Sequence, residues 1–314
     1  MASHSCFGKN FLIKLDTHIH YKPTELYPDS ENGDEGFLKY GQIQHGFLIS
    51  PSFHIVNTIN QAGFDYGWMT ELSLRTILNK KTSEVVMQNP KRFRGLCGYN
   101  SSWRDEIGVV SECLKLPGMV GIKVHSENDG TVATCEPDRF YKLIASIQHL
   151  KPIVLWHTTP EQSASDLYYF VRSFPKVTFV FAHSFYSPDF VEEFAEIEKK
   201  SAKLQNIFVE VSTIYANKIR LLEPRYVQAW RKFGMRRVLF GSDLGFIQSA
   251  ELANMVDVYE NSTELTSSER DMIFRYNASS LLNRISDPFL KVITSNKAKL
   301  SEKNQIETVY TSKH

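Results

Sequence analysis

Eight short apolar runs, each followed by a stretch with helical periodicity, dominate the chain and limit the folds open to it. The first strand spans roughly residues 11 to 17. The others are the aromatic stretch ending at Met69, then "RFRGLCGY", "MVGIKVHS", "IVLWHT", "KVTFVFAHS", "NIFVEVS" and "RRVLFGSD". Between them the pattern predicts helices over residues 52–62, up to the Asn89-Pro90 stop, and over 104–116, 137–149, 161–173, 188–203 and 223–233. Strands that alternate with helices pair in parallel, because a helix is the usual crossover between parallel strands. Eight such units predict an α/β fold, a TIM-like (β/α)8 barrel forming a single domain over residues 1–290, with residues 291–314 as a C-terminal extension. A doubly wound sheet gives similar alternation but sets its strand ends in a row, whereas a barrel gathers them into a ring.

A chain of 314 residues with 42% hydrophobic and 12% aromatic content can fill such a core, which excludes wholesale disorder. A formal charge of +1, with short basic groups at Lys91–Arg94 and Arg231–Arg237, argues against a nucleic-acid partner. The apolar runs are broken within a dozen residues, too short to span a bilayer, and no basic start with an apolar core marks the N-terminus for secretion. Cys6, Cys97, Cys113 and Cys135 show no CxxC spacing, so they read as buried or free thiols in a reducing, cytoplasmic compartment. The polar segment "YKPTELYPDSENGDEGFLKYGQ" after the first strand is a long connection of the kind that forms lids or binding loops.

The polar residues cluster at the far ends of the strands. Leu12, Lys14, Asp16, His18 and His20 share one parity if the first strand continues, so both histidines can face the same mouth. Ile153, Leu155 and His157 share a parity on strand five, Val177, Phe179, Phe181 and His183 on strand six, and Asp243 follows Gly241 on strand eight. A lone histidine at a strand end is usually only hydrogen-bonded, and "FGSD" alone reads as a turn or cap. Repetition at one level on four strands points instead to a metal site at the C-terminal mouth, where barrels carry their chemistry. Nitrogen and carboxylate ligands suit Zn2+, with Mn2+, Fe2+ or Ni2+ as alternatives. Lys123 stays open between a cation for a substrate carboxylate, a carbamate metal bridge and a snorkelling surface residue. Asp16 reads as an orienting partner of a ligand histidine or a strand support, and Glu210 and Ser212 as pocket lining or rim support.

In these motifs the chain resembles the amidohydrolase superfamily, and within it the amidohydrolase 2 group related to aminocarboxymuconate-semialdehyde decarboxylase. "DTHIH", "LWHT", "FAHS" and "LFGSD" look like its strand-one, -five, -six and -eight motifs, and "RFRGLCGY", "GMVGIKVHS" and "YNASSLL" are similar too, over roughly residues 11 to 285. The resemblance implies that His18, His20, His157 and Asp243 bind one catalytic divalent ion, and that His183 contacts the attacking water or the substrate. In binuclear relatives the His183 position binds a second ion, bridged by a carboxylated strand-four lysine. Lys123 is the candidate here and His125 its rival.

The resemblance implies hydrolysis, nonoxidative decarboxylation or hydration. Hydrolysis of a lactone, amide or ester of a small cyclic or carboxylated substrate comes first, because a metal, water and an aspartate suffice for it, with Asp243, His183 and Lys123 as the catalytic set. The runner-up is nonoxidative decarboxylation of an unsaturated or aromatic acid, for which Lys22, Lys39, Arg104 and Lys123 are the candidate cations. The third reading is a non-catalytic barrel with a structural metal or an interaction role. Trp68, Trp103 and Trp156 fit a planar substrate or plain core packing. The aromatic, long-loop face is a candidate homodimer contact.

Overall fold

The computed structural model describes residues 13–21, 52–70, 76–101, 103–125, 137–158, 162–212, 222–245 and 249–284. The expected loop after the first strand, the C-terminal extension, Cys6, Cys135, Lys22 and Lys39 lie outside the described residues. Eight parallel strands follow one another around a single sheet in sequence order: β1 (Leu15–His20), β2 (Tyr66–Thr70), β3 (Phe93–Gly98), β4 (Met119–His125), β5 (Ile153–His157), β6 (Thr178–Phe181), β7 (Ile207–Glu210) and β8 (Val238–Leu239). Backbone hydrogen bonds from Thr17 N–H to Phe240 O (3.0 Å), Asp243 N–H to His18 O (2.8 Å) and His20 N–H to Leu244 O (2.6 Å) bring β8 back to β1. That return makes the sheet the (β/α)8 barrel the alternation predicts.

The helices between strands are α1 (Ser52–Gln61), α2 (Thr76–Gln88), α3 (Glu106–Cys113), α4 (Pro137–Ile147), α5 (Ala164–Ser173), α6 (Pro188–Lys200) and α7 (Pro224–Phe233). After β8 come α8 (Ser249–Asn261), α9 (Ser267–Asp271) and α10 (Asn277–Arg284). Their starts follow from local chemistry. Ser163 and Ser187 accept the backbone N–H of Asp166 and Phe190 with their side chains, and Pro188 and Pro224 occupy first-turn positions that need no donor.

Two apolar clusters flank the strands. Ile13, Leu15, Tyr66, Trp68, Leu96, Ile153, Leu155, Val180, Ala182, Phe208 and Leu239 form the inner one, joined by Ala278, Leu281 and Leu282 of α10. There Asn277 donates to the carbonyls of Met235 and Val238, both at 2.7 Å, and so seats α10 at the start of β8. The larger cluster lies between sheet and helices and includes Trp156, Phe179, Phe181 and Phe240. Trp156 packs against Phe140, Phe170 and Phe181 and is fully buried, so it is core rather than a substrate platform.

One expectation is corrected here. Cys97 and Cys113 are joined in a disulfide, with Cα atoms 6.0 Å apart. Their separation of 16 residues carries no motif, yet the βα connection folds the end of α3 back beside β3. The thiol argument for a reducing compartment therefore falls for this pair. Among the described residues, no helix is long and apolar enough to cross a membrane.

Candidate metal centre

The inner cluster shows which strand parity faces the barrel axis, and β1 does not keep one parity. Ile13 and Leu15 point inward, so unbroken alternation would send His18 and His20 toward the helices. The pairing with β2 shifts between Asp16 and Ile19. Beyond that irregularity Ile19 packs in the outer cluster and both histidines turn to the mouth. The single parity expected from Leu12 to His20 is thus wrong for its first half. Lys14 lies on the outer side, its Nζ 2.9 Å from Glu260 and over the rings of Phe64 and Phe274. Asp16 Oδ1 accepts the backbone N–H groups of His18 (3.1 Å) and Ser242 (2.9 Å), which ties β1 to the end of β8 and supports the strand.

Strand β6 needs a comparable correction. Val180 and Ala182 face inward while Phe179 and Phe181 pack under the helices, so an extended chain would carry His183 outward with the phenylalanines. Instead His183, Ser184, Phe185 and Tyr186 all adopt left-handed backbone, with φ of 56°, 46°, 61° and 53°. Each such residue costs about 1–2 kcal/mol, so the turn must be held from outside. Ser184 Oγ donates to Glu210 O (3.1 Å) and accepts the Trp230 indole N–H (3.0 Å), and Ser187 then caps α6. The turn stacks the His183 ring on Tyr186 with centroids 4.4 Å apart. Asp243 is also left-handed, with φ of 62°, and its N–H is anchored on His18 O.

Strands β4 and β5 are regular. Lys123 pairs with Leu155 and His125 with His157, so both residues of β4 share the inward parity of β5. The rings of His125 and His157 stack with centroids 4.0 Å apart, and His157 meets His183 edge-on at 4.8 Å.

These elements converge on a small set of atoms. His18 Nε2 and His20 Nε2 are 3.0 Å apart, and Asp243 Oδ1 lies 3.3 Å from the first and 3.0 Å from the second. His18, His183 and Asp243 present ligand atoms that all lie within 4.8 Å of one another. Lys123 is fully buried, and its Nζ is 3.2 Å from His18 Nε2. Burial, reinforced by the Lys123 charge, pushes His18 down to about 3, and burial pushes His183 down to about 4. Burial and the Lys123 charge lower His125 to about 2, while burial holds His20 and His157 well below 6.5. For Asp243 burial works against ionisation, but His18, His20 and His183 outweigh it and keep the carboxyl well below its usual range. Burial raises the Asp16 carboxyl to about 7 despite its hydrogen bonds to Ser242 and His18.

The donor set fits a divalent cation. Neutral imidazoles and an ionised carboxylate are ligands as they stand, with no protons to displace from charged rings. Separations of 3.0, 3.0 and 3.3 Å match the edges, about 3.3 Å, of a tetrahedron whose arms are about 2.0–2.1 Å. The Lys123 ammonium, which can only donate, faces the same Nε2 of His18 at 3.2 Å.

Of the residues singled out from sequence, His18, His20, His183, Asp243 and Lys123 meet directly, and His157 joins through its ring contact with His183. Arg104 is exposed. Glu210 does more than line the pocket: its Oε1 lies 3.0 Å from His18 Nδ1 and accepts the His183 backbone N–H at 3.0 Å. Strand parity places Glu210 in the barrel, but nothing in the sequence names these two partners.

Comparison with known proteins agrees with the barrel fold. The family model described as "Amidohydrolase" matches residues 16–284. A search among curated proteins returns no match. Among solved structures, 2,6-dihydroxybenzoate decarboxylase from Rhizobium aligns at 14% identity and a TM-score of 0.62, over 87% of this chain and 99% of that one. A probable 2-pyrone-4,6-dicarboxylic acid hydrolase from Acinetobacter baumannii, with citric acid bound, aligns at 15% identity and a TM-score of 0.61, over 87% and 100%. A dihydroxybenzoic acid decarboxylase from a Polaromonas species, with bound manganese and the inhibitor 2-nitroresorcinol, aligns at 16% identity and a TM-score of 0.58, over 88% and 99%. At such identities the structures testify to the shared barrel alone, whereas the family match covers the strands that carry every residue of the site: the chain belongs to the amidohydrolase family of metal-dependent enzymes.

Proposed function

We propose that the protein is a metal-dependent hydrolase that opens a lactone, amide or ester bond in a small cyclic or carboxylated organic substrate. The observation that carries this reading is Asp243 Oδ1 standing 3.0–3.3 Å from the Nε2 atoms of both His18 and His20. His18, His20, His157 and Asp243 would hold one divalent ion, Zn2+ first and Mn2+, Fe2+ or Ni2+ as alternatives. When bound, that ion supplies Lewis acidity, making water acidic enough to act near neutral pH and polarising a substrate oxygen.

The chain's own residues do the rest. Asp243, held ionised among the histidines, takes a proton from the attacking water and returns it to the leaving group. His183 faces the same atoms from the left-handed turn and stabilises negative charge developing on the substrate oxygen. The buried Lys123 ammonium supplies a fixed positive charge for a substrate carboxylate.

That charge also favours a second reading, nonoxidative decarboxylation of an unsaturated or aromatic acid, which the names of the Rhizobium and Polaromonas proteins illustrate. Metal content per chain, measured on protein purified without added metal or chelator and beside a His18→Ala/His20→Ala control, tests the proposal. A single divalent ion that the control loses supports it, and a second ion favours a bridging Lys123. No ion after reconstitution sinks it. A carboxylated lactone and a dihydroxybenzoate, assayed in parallel for acid release and for CO2, then separate the two reactions.

A further inference from the structure

The Glu210 carboxylate gathers four donors at the mouth, although it lies at the end of β7 and belongs to neither ligand set. Its Oε1 faces His18 Nδ1 (3.0 Å), the His183 backbone N–H (3.0 Å) and Ser212 Oγ–H (2.7 Å), and its Oε2 accepts Ser212 N–H at 2.6 Å. The four donors come from three residues, His18 of β1, His183 after β6 and Ser212 after β7, and the carboxylate is fully buried. Gly241 leaves it room: a Cβ there would sit 2.5 Å from Glu210 Oε2 and 2.9 Å from its Cδ.

The ring protons follow from these partners. A carboxylate only accepts and an ammonium only donates, so with Glu210 at 3.0 Å from Nδ1 and Lys123 Nζ at 3.2 Å from Nε2, closer than Asp243 at 3.3 Å, the ring proton of His18 sits on Nδ1 and Nε2 is the acceptor. His183 Nδ1 faces the carbonyl of Ser212 at 3.2 Å, and a carbonyl likewise only accepts. Ser212 Oγ gives its own proton to Glu210 and is therefore an acceptor for His183 Nδ1–H at 2.8 Å. Both rings are left with Nε2 as the acceptor.

From this geometry we infer that Glu210 is the positioning residue of the site, fixing the Nδ1–H tautomer of His18 and, through the His183 backbone and Ser212, the left-handed turn that brings His183 to the mouth. It acts through the histidines and need not touch substrate. Its consequence for metal affinity rests on the metal-dependent reading above, whereas the tautomers do not. Partners of this kind raise ligand basicity and fix ring orientation.

The test uses full-length protein labelled with 15N-histidine and stripped of metal, in which the ring 15N shifts of His18 and His183 report where each proton sits. Both rings are expected as Nδ1–H tautomers in the wild type. In Glu210→Ala the Nε2–H form of His18 should appear, and Zn2+, measured by chelator competition, should bind about 10–100-fold more weakly. Glu210→Gln, which keeps the shape but offers one acceptor oxygen in place of two, should fall between the two on both readouts. If Glu210→Ala does not fold, the glutamine variant decides alone. A folded variant with the wild-type His18 tautomer and wild-type Zn2+ affinity overturns the inference. Wild-type protein that shows both tautomers yet binds no Zn2+ overturns the metal reading and leaves this one standing.

Discussion

Strands β4 and β5 bring their polar residues to the mouth by plain alternation, whereas β1, β6 and the end of β8 do so only by breaking it. Lys123, His125 and His157 pair in unbroken register from Gly121 and Ile153 upward. His18 and His20 depend on the shift after Asp16, His183 on four left-handed residues in a row, and Asp243 on a left-handed backbone of its own. The irregular half supplies the closest contacts, including the 3.0 Å approach of His18 to His20 and of His20 to Asp243. Strands in register hold neighbouring backbones about 4.7–4.9 Å apart, and His125 and His157 simply stack across that gap, with centroids 4.0 Å apart. His18, His20 and Asp243 instead turn their ligand atoms onto one point through departures from regular backbone, whose cost is borne where chemistry needs it.

The comparison breaks most readily at Asp243. Asp243→Asn keeps the side chain's shape but removes the charge that faces both histidines, and kcat should fall about 10²–10⁴-fold. His125→Ala, on the regular half, should act mainly on KM, because it removes the ring stacked on His157 and leaves Asp243 facing His18 and His20. Steady-state kinetics on a turning-over carboxylated substrate decide. Equal losses of kcat in both variants would erase the distinction between the two halves.

Acid stability sharpens it next. The folded-state pKa values of His18, His20, His125, His157 and His183 are all pushed below 6.5. The unfolded chain therefore binds more protons than the folded one below that pH. The stability these rings contribute is complete above 6.5 and is lost as pH falls through about 4 for His183 and about 3 for His18. Asp16 runs the other way: its contribution is complete below 3.8 and is lost as pH rises through about 7. Several histidines against one carboxyl leave a net loss on acidification, at about 1.4 kcal/mol per pH unit for each proton taken up. The urea midpoint of the metal-free protein should accordingly drop between pH 7 and pH 5. A flat or rising midpoint would mean that the rings titrate as exposed groups do.

How far these features are legible in the sequence divides along the same line. Alternating apolar runs and helical stretches give the barrel, and in "IVLWHT" and "GIKVHS" period two holds, so the inward parity of His157 and Lys123 follows from the sequence. On β1 and β6 the same rule misstates how His18, His20 and His183 reach the mouth. Lys14 and Asp16 share their parity yet serve the outer face and the backbone, and Phe179 and Phe181 share the parity of His183 yet pack under helices. A bulge or a left-handed turn is set by tertiary hydrogen bonds, such as those from Trp230 to Ser184 and from the His183 backbone N–H to Glu210, between residues 46 and 27 positions apart. The Cys97–Cys113 pairing is hidden for the same reason, since it follows from the packing of α3 on β3 rather than from spacing.

The smallest effect isolates strain from function. Lys151 is left-handed too, with φ of 53°, but it ends the short 3₁₀ turn before β5 and is exposed at the opposite end of that strand from His157. No site residue depends on it, and its backbone N–H bonds Gln148 O as any residue's would. Lys151→Gly removes a left-handed cost of about 1–2 kcal/mol. The added freedom of glycine in the unfolded chain takes back about 0.4–1 kcal/mol of that gain. The variant should be slightly more stable in urea, by roughly 0.5–1 kcal/mol, with activity unchanged. The same relief is not available at His183, where the left-handed conformation carries the imidazole to the mouth. If Lys151→Gly instead lost activity, strain at the two ends of the barrel would be coupled, and the left-handed turn after β6 could no longer be read as a local device for aiming His183.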